Sequence, residues 1–147
     1  MLFEFIVHRA VVIGGCIGKN PEMIPGVIVC DPASEHLIDE GCYITEWSNS
    51  DRDAALSVAR ARVRPGTATR WHRLQGTTER YVVLAGEGVV EVGDLSPHIV
   101  RAGDVVLIPP GCRQRITNPW TDDLVFLALC TPRFIPSAYE DAEPETD

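Results

Sequence analysis

Lysine, paired cysteines, long apolar runs and helical periodicity are all scarce in this chain, and each scarcity closes off a class of protein. One lysine, Lys19, stands beside 12 arginines, a bias of composition that carries no functional signal by itself. The five cysteines, Cys16, Cys30, Cys42, Cys112 and Cys130, are an odd set without a C-x-x-C pair, so neither a disulfide framework nor a zinc knuckle is signalled. They read as free thiols of a reducing cytoplasm. No apolar run reaches membrane-spanning length. Residues 1–18 are apolar, but they lack the positive leading region of a signal peptide and carry His8 and Arg9 mid-run. The net charge is −8, yet five of the acids (Glu140, Asp141, Glu143, Glu145, Asp147) lie in the last eight residues, and without them about −3 remains. An acidic chain repels phosphate backbones, which argues against nucleic acid as a partner.

What is present suits one compact domain. A length of 147 residues with 45% hydrophobic and 23% charged residues is enough for a core without disulfides. Beyond Val27 the chain reads as short strands broken by turn residues, with nothing at helical period longer than a turn or two. Strands are expected at 26–30, 42–47, 56–64, 69–74, 79–85, 88–92, 98–101, 104–108, 114–118 and 124–130. Evenly spaced short strands indicate an all-β sandwich or barrel. Gly86-Glu87-Gly88 reads as a tight hairpin and Pro109-Pro110-Gly111 as a sharp turn that sets Gln114 at a strand start. The domain is expected to occupy 26–135. Residues 1–25 form an N-terminal extension, either a strand that pairs with the barrel or a second subunit, or a peripheral segment ahead of an alternative start at Met23. The acidic, proline-bearing stretch 136–147 reads as disordered.

Alternation assigns the faces. In the stretch LSVARARVR, one parity holds Ser57, Ala59, Ala61 and Val63, the other Arg60, Arg62 and Arg64. Burying three unpaired guanidiniums costs too much, so the small set faces inward and leaves room for a ligand. The same parity puts His72, Leu74, Glu79, Tyr81 and Val83 on one face, with Gln114 and Ile116 on a facing strand.

The chemistry is concentrated in two stretches, Gly66–Gly86 and Gly103–Asn118. Five residues separate Gly66 from His72, six separate His72 from Glu79, and six separate Glu79 from Gly86; in the second stretch five separate Gly103 from Pro109, and Gly111, Gln114 and Asn118 follow. In this spacing the chain resembles the cupin superfamily over about residues 55–132, as a small single-domain member. The resemblance implies a double-stranded β-helix, the jelly-roll barrel. It implies an interior site where side chains from adjacent strands converge, and a cavity that Phe126, Ala128 and Cys130 line together with Ala59, Ala61, Leu74, Tyr81, Val83 and Ile116. It also implies a homodimer that pairs outer strands. Two of the family's four metal-binding positions hold the usual residue types, His72 and Glu79, while the others hold Leu74 and Gln114.

Three readings of the site follow. In the first, His72, Glu79 and Gln114 hold a divalent metal (manganese, iron, zinc or nickel) for a dioxygenase, isomerase or decarboxylase acting on a small polar molecule. In the second, the metal site has decayed, and the barrel is a non-catalytic binding or sensing module whose polar cluster satisfies itself. In the third, His72 and Glu79 are a metal-free acid–base pair of an isomerase or epimerase. Trp71 faces away from the cavity as packing or a dimer contact, Cys130 is a small buried hydrophobe, and His8, His36 and His98 lie on the surface.

Overall fold

In the computed structural model, residues 23–144 are described. They form twelve strands: β1 (His36–Leu37), β2 (Tyr43–Ser48), β3 (Ser57–Val63), β4 (Thr67–Ala68), β5 (His72–Leu74), β6 (Thr78–Ala85), β7 (Glu87–Val92), β8 (His98–Arg101), β9 (Val105–Ile108), β10 (Gln114–Asn118), β11 (Leu124–Thr131) and β12 (Tyr139–Asp141). One sheet runs β1-β2-β3-β11-β6-β9 and the other β12-β5-β10-β7-β8, with β4 on β10. Every pairing is antiparallel. This is the expected all-β jelly roll. No helix among the described residues is long and apolar enough to cross a membrane.

The core lies between the sheets and follows the period-2 pattern. Strand β3 buries Ser57, Ala61 and Val63 and turns Arg60 and Arg62 outward, where both pair with Glu35. Val83, Val90, Ile108, Ile116, Leu124 and Phe126 fill the interior, each worth roughly 1.5–3 kcal/mol when fully removed from water. The Tyr81 and Phe126 rings meet in its middle, with centroids 4.3 Å apart. The Pro109–Cys112 turn is closed by the Cys112 N–H donating to the Pro109 carbonyl at 3.2 Å. Gly111 there has φ +73°, the left-handed conformation required after a proline in a type II turn.

Three expectations need correction. Gly86-Glu87-Gly88 is a corner, not a hairpin: β6 pairs with β11 and β9, whereas β7 pairs with β10 and β8, so the chain changes sheets there. The glycines serve close approach, because a Cβ on Gly86 (φ +75°) would sit 2.3 Å from the Asp123 carbonyl and one on Gly88 2.6 Å from Leu124 Cδ2. Residues 26–30 form no strand; Val27 and Val29 are exposed, because consecutive apolar residues specify no face unless another strand pairs with them. The stretch 136–144 is ordered into the barrel rather than disordered. Ala138 is buried, β12 pairs with β5, and the acids that suggested disorder are held by arginines, Asp141 by Arg70 at 2.7 Å and Glu140 by Arg73. Of the proposed N-terminal extension, residues 1–22 lie outside the described residues, as do 145–147 at the other end.

Candidate functional site

A cavity of about 350 Å³ opens at one end of the barrel. Its floor carries His72 from β5 and Glu79 from β6, and its walls include Ser57, Ala59, Leu74, Ala128 and Cys130. Small residues on β3 and β11 make this space, as alternation predicts. The other expected lining residues, Ala61, Tyr81, Val83, Ile116 and Phe126, are packed in the core instead. They share the inward parity but sit deeper, where facing side chains meet and close the barrel.

His72 is 2% exposed. Its Nδ1 lies 2.8 Å from the Arg70 carbonyl; a carbonyl only accepts, so Nδ1 carries the hydrogen and, in the neutral ring, Nε2 is the nitrogen with the lone pair. That nitrogen is 3.6 Å from Glu40 Oε1. Glu40 stands in the turn between β1 and β2, where the Ile38 N–H donates to the Cys42 carbonyl and the Gly41 N–H donates to the Ile38 carbonyl. The Glu40 carbonyl accepts from the Arg70 N–H at 2.8 Å, which ties the turn to the strand that carries His72. On another side the Tyr139 ring of β12 stacks on the imidazole, with centroids 5.4 Å apart and planes 16° from parallel.

Both carboxyls are pushed towards neutrality. Burial raises Glu40 to about 7. Burial, and then the Glu40 charge, raise Glu79 to about 7 against the opposing pull of Gln114 and His72. Gln114 is fully buried and meets Glu79 Oε2 through its amide at 2.5 Å. That is a short N–H···O hydrogen bond, donated by the Gln114 amide. Gln114 Oε1 has no hydrogen-bond partner among the described residues. Burial, then the Glu79 charge, pushes the Cys130 thiol up to about 12, so this wall residue is an inert thiol.

Of the residues expected at the site, His72 and Glu79 line the cavity, while Gln114 reaches it only through Glu79. Trp71 faces away as expected, with the Arg113 and Arg115 guanidiniums 3.9 and 4.6 Å over its ring. His98 is on the surface. His36 is exposed, but it lines the cavity mouth with Glu46 and Asn49. Sequence reading missed Glu40 and Tyr139. An acid in a Asp-Glu-Gly turn and a tyrosine in an acidic tail both read as surface, and no motif spacing reaches either.

The donors do not suit a resident divalent ion held in the family's manner. Leu74 puts carbon where a second imidazole would stand, Glu79 and Gln114 engage each other, and His72 Nε2 has Glu40 beside it. Among the described residues no three His, Cys, Asp or Glu side chains are grouped so as to hold a metal.

Comparison with known proteins agrees with the fold. The cupin domain family matches residues 59–130. The oxalate-binding protein of Thermotoga maritima is 38% identical over 76 residues, 51% of this chain and 61% of that protein, so the match spans under two thirds of the relative. A solved structure described as a predicted oxalate decarboxylase of T. maritima superposes with a TM-score of 0.63 at 24% identity, over 71% of this chain and 98% of the other. The Streptomyces protein Pac13, solved with uridine, gives 0.65 at 15% identity over 78% and 90%. The chain belongs to the cupin superfamily, and it has an interior pocket of small-molecule size.

Proposed function

We propose that this cupin binds a small polar organic molecule in the barrel and moves a proton on it by acid–base chemistry in which no metal takes part. The observation that carries the reading is the placement of His72 Nε2, aimed into the cavity by the Nδ1–Arg70 contact, 3.6 Å from Glu40 and in one cavity with Glu79. Proton transfer is fastest when donor and acceptor titrate near the working pH. Two carboxyls raised to about 7 meet that condition. His72 takes a proton from the ligand at Nε2, a neutral Glu40 or Glu79 returns one, and the Arg70 carbonyl stabilises the imidazolium that forms in between. Apolar walls at Ile38, Ile44, Leu74 and Phe134 keep bulk water from competing. A positioned acid–base group of this kind contributes about 10²–10⁴-fold to rate.

The test is deuterium wash-in. Small carbonyl, imine and hydroxy compounds are incubated with the protein in D₂O and read by mass spectrometry, with His72→Gln and Glu79→Gln beside the wild type and with and without chelator. Exchange that survives chelation and is lost in both variants supports the reading. Exchange abolished by chelator and restored by manganese, iron, zinc or nickel would return the site to metal chemistry. Ligand binding without exchange would make the protein a non-catalytic binding module.

A further inference from the structure

We propose that the ligand of this pocket is a small organic cation, an ammonium or amidinium on a compact apolar body. The proposal rests on the reading of the pocket as the working site and names the class of molecule that enters it. The cavity wall carries three acidic side chains, Glu40, Glu46 and Glu79, and among the described residues no arginine or lysine lines it. The guanidiniums on neighbouring strands are held elsewhere. Arg60 and Arg62 bind Glu35 at 3.0 and 2.6 Å, Arg70 binds Asp141 at 2.7 Å, Arg73 binds Glu140, and Arg133 binds Asp51 at 2.5 Å.

Glu40 makes the case sharper. Its side chain is only 16% exposed, yet among the described residues no group donates a hydrogen bond to its carboxyl, and His72 Nε2 stands 3.6 Å away, beyond hydrogen-bond distance. A largely buried carboxylate without a donor is an acceptor waiting for one. A ligand N–H⁺ placed against Glu40 supplies both the hydrogen bond and the countercharge, while an anion there would face two buried acids. The remaining wall, Ile38, Ile44, Leu74, Phe134 and the ring of Tyr139, suits an apolar body, and aromatic faces add attraction for a cation.

The experiment uses three probes of one shape and different charge: cyclohexylamine, cyclohexanol and cyclohexanecarboxylate. Each is titrated into the full-length protein at pH 8 by calorimetry, with the His72 and Tyr139 ring signals followed by NMR to locate binding. Expected is binding of the amine at least tenfold tighter than the alcohol, no binding of the carboxylate, movement of both ring signals, and a loss of tenfold or more for the amine in Glu40→Gln with little change for the alcohol. If the alcohol or the carboxylate binds as well as the amine and moves the ring signals, the cation assignment is overturned while the pocket stands. If the amine binds without moving them, or none of the three binds up to 10 mM, the cation assignment is overturned and the pocket reading must rest on the exchange experiment alone.

Discussion

Replacing Glu79 with glutamine removes one buried acid while leaving its shape and its contact with Gln114 in place. In the native protein its pKa is raised from 4.5 to about 7, so between those values the folded state holds a proton that the unfolded chain has released. The contribution is full below pH 4.5 and is lost as pH rises through 7, so stability falls with rising pH. A shift of this size is worth about 3 kcal/mol in full, of which about 2 kcal/mol falls between pH 5.5 and 8.5. Glu40, raised by burial to about 7, adds a slope of the same sign. Glu35, Glu140 and Asp141 are lowered and act in the opposite sense, at more acid pH and outside this window. Guanidinium unfolding of wild type and Glu79→Gln at pH 5.5 and 8.5 reads the effect. The wild type should lose about 2 kcal/mol more than the variant across the window, and the variant should be the more stable protein at pH 8.5. A variant no more stable than wild type at pH 8.5, or a wild type that gains stability over this range, would refute the view that Glu79 is a buried acid held against ionisation.

Gly88→Ala should cost about 1–3 kcal/mol in chemical denaturation, because the new Cβ meets Leu124 and Ile116 at 2.6 and 3.1 Å in a filled core; an unchanged midpoint would refute the close approach at this corner. Tyr139→Ala should lose about 1–2 kcal/mol and shift the His72 ring signals, while Tyr139→Phe keeps the stack and stays near wild type; equal behaviour of the two variants would remove the ring from the site. Leu74→His places a second imidazole beside His72 and Glu79 and should take up close to one zinc or nickel per chain by elemental analysis, where wild type takes none. A full equivalent in wild type would overturn the judgement that its donors do not suit a resident ion.

The barrel was legible in the sequence because its signals are local. Motif spacing from Gly66 to Asn118 identified the family, and alternation on β3 put Ala59 inside and Arg60 outside without any knowledge of the partners. For the same reason His72 and Glu79 came out on the cavity floor. Local signals misled where a turn residue had two uses: Gly86 and Gly88 read as a hairpin, yet they serve a change of sheet that depends on Asp123 and Leu124 some 35 residues away.

A period of two states which face a side chain takes, not how far down the barrel it lies. Ala59 and Ala128 bound the cavity while Ala61 and Phe126, of the same parity, plug its end, and only the approach of the two sheets separates them. Glu40 and Tyr139 arrive from segments 32 residues before and 67 residues after His72, one on a hairpin turn and one on a strand tied down by Arg70 and Arg73. Sequence alone thus determined the fold, the inward face and two of the residues that line the cavity, all of which follow from spacing along a strand. The depth of the cavity, the second carboxylate and the stacked ring were decided by tertiary structure, because contact between distant segments is set by how the sheets close rather than by any repeat in the chain.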